Sequence, residues 1–366
     1  MLEKYRSKVV TADKAAEAIK SGDWVDFGFG SGFPELMDAA LAKRKGAVTD
    51  VKIRGGLVYR PSIAVVECDP DHESFDYYSW HLGNAERKYF SAGQIHFAPM
   101  LLRLLPQMYR EYLTVDVACI PVSKPDENGC CGLGLASYAW KTIMKKARTV
   151  IFEVNEHMPT LQGVDGSHRV SLDDADLIVE GEHAPLAANK YRTPSEADIK
   201  IAEYVVNEIP NGATLSLGVG TFPLPLPRCS QNPIRKIWLP YGNHQRCLPD
   251  ALSSRETDGS QEGNQYRSCR MEPCKRQCGT LSVAERSPDL FYPADVDYIH
   301  NPRNMEKLSN FISINGGVQL DLMGQENAES VGTRQLSGTG GQLDFSKGLS
   351  FLRAGRVIFA SIGPQR

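Results

Sequence analysis

One pattern occurs twice in this chain, at residues 21–34 and again at residues 211–223. Gly22, Gly28 and Gly30 align with Gly212, Gly218 and Gly220 at one constant offset, and each copy ends in Phe-Pro. Both copies follow a helical stretch and run through an alternating strand into a glycine turn. A period this long is no solenoid repeat. It predicts two copies of one α/β domain in tandem, each presenting a glycine loop at a strand end. The 366 residues suffice for two such cores.

The elements between the copies agree. Residues 51–58, 95–99, 115–122 and 149–154 are short, apolar and β-branched, as strands buried on both faces are. Residues 13–20, 34–45 and 136–147 read as helices between them, which predicts βαβ units and a mostly parallel sheet. Ser195 and Asp198 form a capping-box pattern, followed by Ile199, Ala202, Val206 and Ile209 at helical spacing. Breaks at Pro185 and Pro194 place the boundary near 186, giving domains of 1–186 and 187–366.

Residues 225–283 read differently. Helix and strand periodicity vanish, and five of the nine cysteines crowd in: Cys229, Cys247, Cys269, Cys274 and Cys278. Order resumes near residue 289, and the chain stops just after an apolar strand at 356–362, as if the sheet had lost its continuation. The second domain is therefore expected to be disrupted and truncated, with unpaired sheet edges that cost stability.

A net charge of −3 gives no basic field for nucleic acid. No apolar run reaches membrane-span length, and the first residues lack the apolar stretch of a signal peptide, so the expectation is a cytoplasmic protein with no membrane partner.

Three glycine loops carry the candidate chemistry: Gly28–Gly32, Gly218–Phe222 and 338–345. Glycine permits positive φ and close approach of a ligand to the main chain, and successive N–H groups suit an anion or oxyanion. None is a Walker A loop or a full dinucleotide fingerprint. Each alone reads as a tight turn; with the repeat, they read as ligand loops. Residues 122–129 and Glu153-Val154-Asn155 sit at strand ends and read either as turns or as substrate-facing segments. Asp173, Asp174 and Asp176 read as a solvated acidic turn, since calcium-loop spacing is missing.

With these loops in place, residues 5–224 and 286–362 resemble the acetyl-CoA hydrolase/transferase family of class I CoA-transferases, in its butyryl-CoA:acetate and 4-hydroxybutyrate group. The resemblance rests on Gly218-Val219-Gly220-Thr221-Phe222-Pro223, on residues 122–129, on Glu153-Val154-Asn155 with Met158-Pro159, on Ser313-Ile314-Asn315, and on Gly338 to Phe345 as GxGGQxDF. It implies two tandem open parallel-sheet α/β domains of the CoA-transferase type, a fold related to that of sugar-phosphate isomerases, with the active site between them. It implies an acyl-CoA and a carboxylate as substrates, no permanently bound cofactor or metal, and a homo-oligomer. It further implies ping-pong transfer through a glutamyl-CoA thioester. Gly218, Val219, Gly220, Thr221, Phe222, Gly338, Gly340, Gly341 and Gln342 would then hold CoA, with Asn315 in the same pocket.

One position departs from the family. Its nucleophilic glutamate falls at Arg246, within Gly242-Asn243-His244-Gln245-Arg246-Cys247. Arginine cannot form an anhydride. The expectation is an impaired enzyme whose residues 225–283 come from a shifted reading frame. The alternatives are an inactive acyl-CoA binder, a zinc module at 244–278 built on Cys269, Cys274 and Cys278 with Cys247 or His244, and a sugar-phosphate isomerase-like protein.

Overall fold

The computed structural model describes residues 3–135, 138–186, 193–211, 213–218, 234–238, 293–308, 310–350 and 355–361. Two compact units result. The first takes Met1–Ala188, Phe291–Asp297 and Leu336–Gly340; the second takes Asn189–Leu290, Tyr298–Gln335 and Gly341–Arg366. Among the described residues no helix is long and apolar enough to cross a membrane.

The first unit is built on an eight-stranded sheet. In chain order its strands are β1 (Val9–Val10), β2 (Trp24–Phe29), β3 (Val51–Gly56), β4 (Phe75–Ser79), β5 (His96–Phe97), β6 (Val117–Val122), β8 (Thr149–Val154) and β10 (Leu177–Glu180). β7 (Cys130–Gly132) and β9 (Arg169–Ser171) pair antiparallel outside it. The spatial order is β1-β10-β8-β6-β2-β3-β4-β5, and every pair is parallel. Helices Glu35–Ala42, Ala64–Cys68, Asn84–Ser91 and Trp140–Lys146 make crossovers between parallel neighbours. All six residues of β6 are buried, as the apolar run predicts for a strand covered on both faces. Val25, Phe27, Val51, Ile53, Met37 and Leu41 meet in one apolar cluster.

The second unit carries a four-stranded parallel sheet among its described residues: β11 (Ala213–Leu217), β12 (Ile234–Trp238), β13 (Phe311–Gly316) and β18 (Arg356–Ala360), in the order β12-β11-β13-β18. Between the last two run short hairpin strands, β14 (Gln319–Leu320) with β15 (Glu326–Asn327), and β16 (Ser330–Val331) with β17 (Arg334–Gln335). Helix Glu196–Asn207 opens on the expected capping box. The Ser195 backbone N–H donates to Asp198 Oδ2 at 2.7 Å, and the Asp198 N–H donates back to Ser195 Oγ at 3.3 Å.

The repeat acquires a topological meaning here. After β2 the chain builds outward through β3, β4 and β5, then returns to the other side of β2 with β6. After β11 it places β12 on one side and β13 on the other. Each copy of the repeat is therefore the strand at which its sheet reverses winding. In open parallel sheets, ligands bind outside the carboxyl ends of the strands at that switch point.

Three sequence expectations need correction. Ile199 is 40 % exposed, and the buried stripe of its helix runs through Ala202, Val205 and Ile209. Val206 packs partly buried against the same cluster, so of the expected stripe only Ile199 departs and Val205 joins it. Strands β4 and β10 escape the reading: Phe-Asp-Tyr-Tyr-Ser alternates polar and aromatic residues, and Leu177–Glu180 is only four residues long. Within the segment read as aperiodic, Ile234–Trp238 is a strand paired parallel with β11.

Candidate functional site

In the first unit, the glycine turn after β2 is closed by aromatic packing. Gly28 has φ +74°, and a Cβ there would stand 1.9 Å from Trp140 Cη2; one at Gly32 would stand 2.9 Å from Trp140 Cζ2. These two glycines admit an indole ring, which gives a packing reason for glycine at both positions. Beneath it, Trp80 Nε1 donates to the Tyr138 hydroxyl at 3.0 Å, and the Tyr138 and Tyr109 hydroxyls lie 3.1 Å apart. Tyr109 donates to the fully buried Asp26. Burial pushes the Asp26 carboxyl up to about 6, against the opposing pull of Tyr109, Arg54 and the Gly28 N–H.

Glu153, at the end of β8, is buried and fully engaged. Its Oε2 accepts the Met37 N–H at 2.9 Å in the first turn of helix Glu35–Ala42, whose N-cap residue, Pro34, makes no side-chain cap bond. The carboxylate thus serves as a remote cap. Its Oε1 meets His183 Nε2 at 3.2 Å, while His183 Nδ1 meets Glu156 Oε2 at 2.8 Å. Burial opposes charge on His183, yet the two carboxylates outweigh it and hold its pKa above the ordinary value. The His183 backbone N–H, opposed by burial and assisted by the imidazole, draws Glu156 down to about 2.

The second unit's switch point has a different character. Thr214, Ser216, Ser313 and Asn315 are all buried, although they lie on strands whose other residues pack into an apolar cluster with Ala202 and Val205. The register sets Thr214 beside Phe311, Ser216 beside Ser313 and Leu217 beside Ile314, so one face is apolar and the other combines Phe311 with small polar groups toward the carboxyl ends. Asn315 Nδ2 donates to Ser313 Oγ at 2.9 Å. The Gly218 N–H donates to the Ile314 carbonyl at 2.8 Å. A Cβ on Gly218 would fall 2.7 Å from Asn315 Oδ1.

Two residues beyond Asn315, a Cβ on Gly317 would stand 3.0 Å from Glu326 Oε1, and Glu326 Oε2 accepts from Gln342 Nε2 at 2.6 Å. Gly218 thus meets Asn315 at the carboxyl ends of β11 and β13, and Glu326 links Gln342 to the chain at Gly317, just beyond β13. Burial raises the Glu326 pKa, and its Oε1 makes no hydrogen bond among the described residues. Gly338 and Gly340 belong to the first unit. A Cβ on Gly338 would lie 2.5 Å from the Trp80 carbonyl, and Gly340, at φ +55°, accepts the Leu102 N–H at 3.2 Å. Gly341 faces His300, with 1.9 Å from its would-be Cβ to the ring. Val219, Gly220, Thr221, Phe222 and Arg246 lie outside the described residues, as does the cysteine-rich stretch.

Residues 2–188 match the acetyl-CoA hydrolase/transferase N-terminal domain, and residues 282–363 match the C-terminal domain of the same family. The chain belongs to the acetyl-CoA hydrolase/transferase family. It is 33 % identical to the butyryl-CoA:acetate CoA-transferase of Anaerostipes caccae over 97 % of this chain and 79 % of that one. It is 30 % identical to the 4-hydroxybutyrate coenzyme A transferase of Clostridium kluyveri over 98 % of this chain and 82 % of that one. The fold matches the crystal structure of RipA from Yersinia pestis with a TM-score of 0.78, covering 99 % of this chain and 83 % of that one at 24 % identity. Membership in this enzyme family agrees with the loop motifs read from the sequence.

Two contributors had no signal in the motifs. Glu326 acts through a hairpin fold-back that spacing does not disclose. Trp140 closes over Gly28 across more than a hundred residues of chain, a contact only the tertiary structure supplies.

Proposed function

We propose that this chain is built for CoA transfer between an acyl-CoA and a carboxylate, of the butyryl-CoA:acetate or 4-hydroxybutyrate type. The observation that carries the reading is the pairing of Gly218 with Asn315 at the carboxyl ends of β11 and β13, where the second sheet reverses winding. Gly218 is the described start of the loop Gly218 to Phe222 that we assign to CoA, with Asn315 as a polar wall beside it; Gly338, Gly340, Gly341 and Gln342 are the family motif's further CoA candidates. In the family's course, a glutamate carboxylate attacks the thioester carbonyl and CoA thiolate leaves, giving a mixed anhydride. The thiolate then attacks the glutamyl carbonyl and releases the acyl carboxylate. An incoming carboxylate reverses both steps on the glutamyl-CoA thioester, so each step exchanges bonds of similar energy.

Arg246 occupies the position of that glutamate, and it supplies no nucleophile. The chain as it stands is therefore an impaired transferase that retains a CoA-holding switch point, and residues 225–283 derive from a shifted frame. The test is incubation with butyryl-CoA and acetate, monitoring acetyl-CoA, with hydroxylamine trapping of any glutamyl thioester. Acyl-CoA binding with little exchange and no adduct is expected. Rapid exchange through an adduct on a glutamate would overturn the impairment, and absence of any CoA binding would overturn the reading itself. Resequencing that returns a single uninterrupted frame would remove the frame-shift explanation.

A further inference from the structure

Among the described residues, one group of side chains brings metal-ligating atoms together: His72, Asp76 and His96, whose ligand atoms all lie within 4.8 Å of one another. His72 Nδ1 stands 3.0 Å from Asp76 Oδ1, and His96 Nε2 stands 3.1 Å from the same oxygen. Asp76 lies near the start of β4 and His96 opens β5. The group thus sits toward the amino ends of these strands, away from the carboxyl ends where the glycine loops lie.

The hydrogen bonding of His72 decides what the group suits. Its Nε2 meets the Gly93 carbonyl at 3.2 Å. A carbonyl only accepts, so Nε2 carries the proton, and in the neutral ring Nδ1 presents a lone pair. That lone pair faces a carboxylate oxygen at 3.0 Å, and Nδ1 is buried without making a hydrogen bond. Two lone pairs at this distance repel, and either a second proton on the ring or a bound cation between them removes the repulsion; two imidazoles converging on one carboxylate oxygen favour the cation. A histidine that donates its far N–H to a backbone carbonyl while aiming its other nitrogen at a shared centre is the outer-shell arrangement of metal-ligating imidazoles. The His96 ring is held in place by stacking on Tyr78, with centroids 4.7 Å apart.

We propose that His72, Asp76 and His96 form a binding site for a divalent first-row transition metal, with zinc as the natural occupant. Two imidazoles and one carboxylate supply three of the four ligands of a tetrahedral ion. His96 is 48 % exposed on its side chain, so the fourth position is open to water. The ion fastens the two-residue edge strand β5 and the turn carrying His72 to β4, stabilising the edge of the first sheet.

The test uses the full chain stripped by chelation, titrated with Zn²⁺ by calorimetry and with Co²⁺ by visible absorption. The expected result is one equivalent bound at micromolar or tighter affinity, a cobalt spectrum of nitrogen and oxygen ligands without thiolate charge transfer, and a raised unfolding midpoint. His96→Ala should abolish this binding and, with it, the rise in unfolding midpoint that added metal produces. Asp76→Asn should weaken it by more than the roughly 10–100-fold that outer-shell changes cost. If Asp76→Asn does not fold, His96→Ala alone decides. Three outcomes would overturn the proposal: no binding, a thiolate-type spectrum, or binding that survives His96→Ala.

Discussion

Asn315 Oδ1 occupies the space that a side chain at residue 218 would need: the distance from Gly218's would-be Cβ is 2.7 Å, and the Ile314 carbonyl stands 3.3 Å away. Glycine is thus required by its neighbour across the switch point. Gly218→Ala is expected to destabilise the second unit by about 1–3 kcal/mol through overpacking. Asn315→Ser, added to it, should recover most of that loss. Chemical denaturation of the single and double variants measures the coupling; strictly additive effects would contradict a direct clash.

Gly28 is held to glycine twice over, by φ +74° and by the Trp140 ring 1.9 Å from a would-be Cβ. Gly28→Ala should cost about 2–4 kcal/mol, combining left-handed backbone strain with overpacking. Urea unfolding checks this. A loss below about 0.5 kcal/mol, the scale of an ordinary surface change, would show that the turn does not need glycine.

His183 lies between two carboxylates, and its pH behaviour follows. Its folded pKa is raised, so its contribution to stability is complete below the unfolded value of 6.5 and is lost as pH rises through the folded value. Glu156, depressed from 4.5 to about 2, contributes above its unfolded value and is lost as pH falls through about 2. The pair therefore favours the folded state most between these limits. Glu156→Gln should lower the His183 pKa, read by NMR titration of its imidazole; an unchanged value would place the cause elsewhere.

Glu326 accepts from Gln342 at 2.6 Å and lies against Gly317. If it positions Gln342 for CoA, Glu326→Ala should weaken CoA binding about tenfold, about 1.4 kcal/mol, with little change in unfolding midpoint. Calorimetry separates the two effects, and a lower midpoint with unaltered affinity would assign Glu326 a purely structural role.

Much of the architecture was legible because the signals were local. The limits of β8 follow from an apolar run bounded by turn residues, and the cap at Ser195 follows from two residues three apart. The glycine repeat disclosed more than a loop, since it marks the strand at which each sheet reverses. What stayed hidden was tertiary. The polar-aromatic alternation of β4 is half-buried by neighbours distant in sequence, Glu326 reaches Gln342 only through a hairpin fold-back, and no spacing places Trp140 over Gly28. The His72, Asp76 and His96 group was equally invisible, because its members join through a strand pairing rather than a spacing motif.

The account rests on the second sheet's switch point being a CoA site, and equilibrium binding of CoA to the full chain, compared with the Gly218→Ala variant at a temperature where both remain folded, tests it most directly. Saturable one-to-one binding by the parent chain, weakened at least about tenfold in the variant, is the predicted result. Failure of the parent chain to bind CoA, or equal affinity in both proteins, would contradict it.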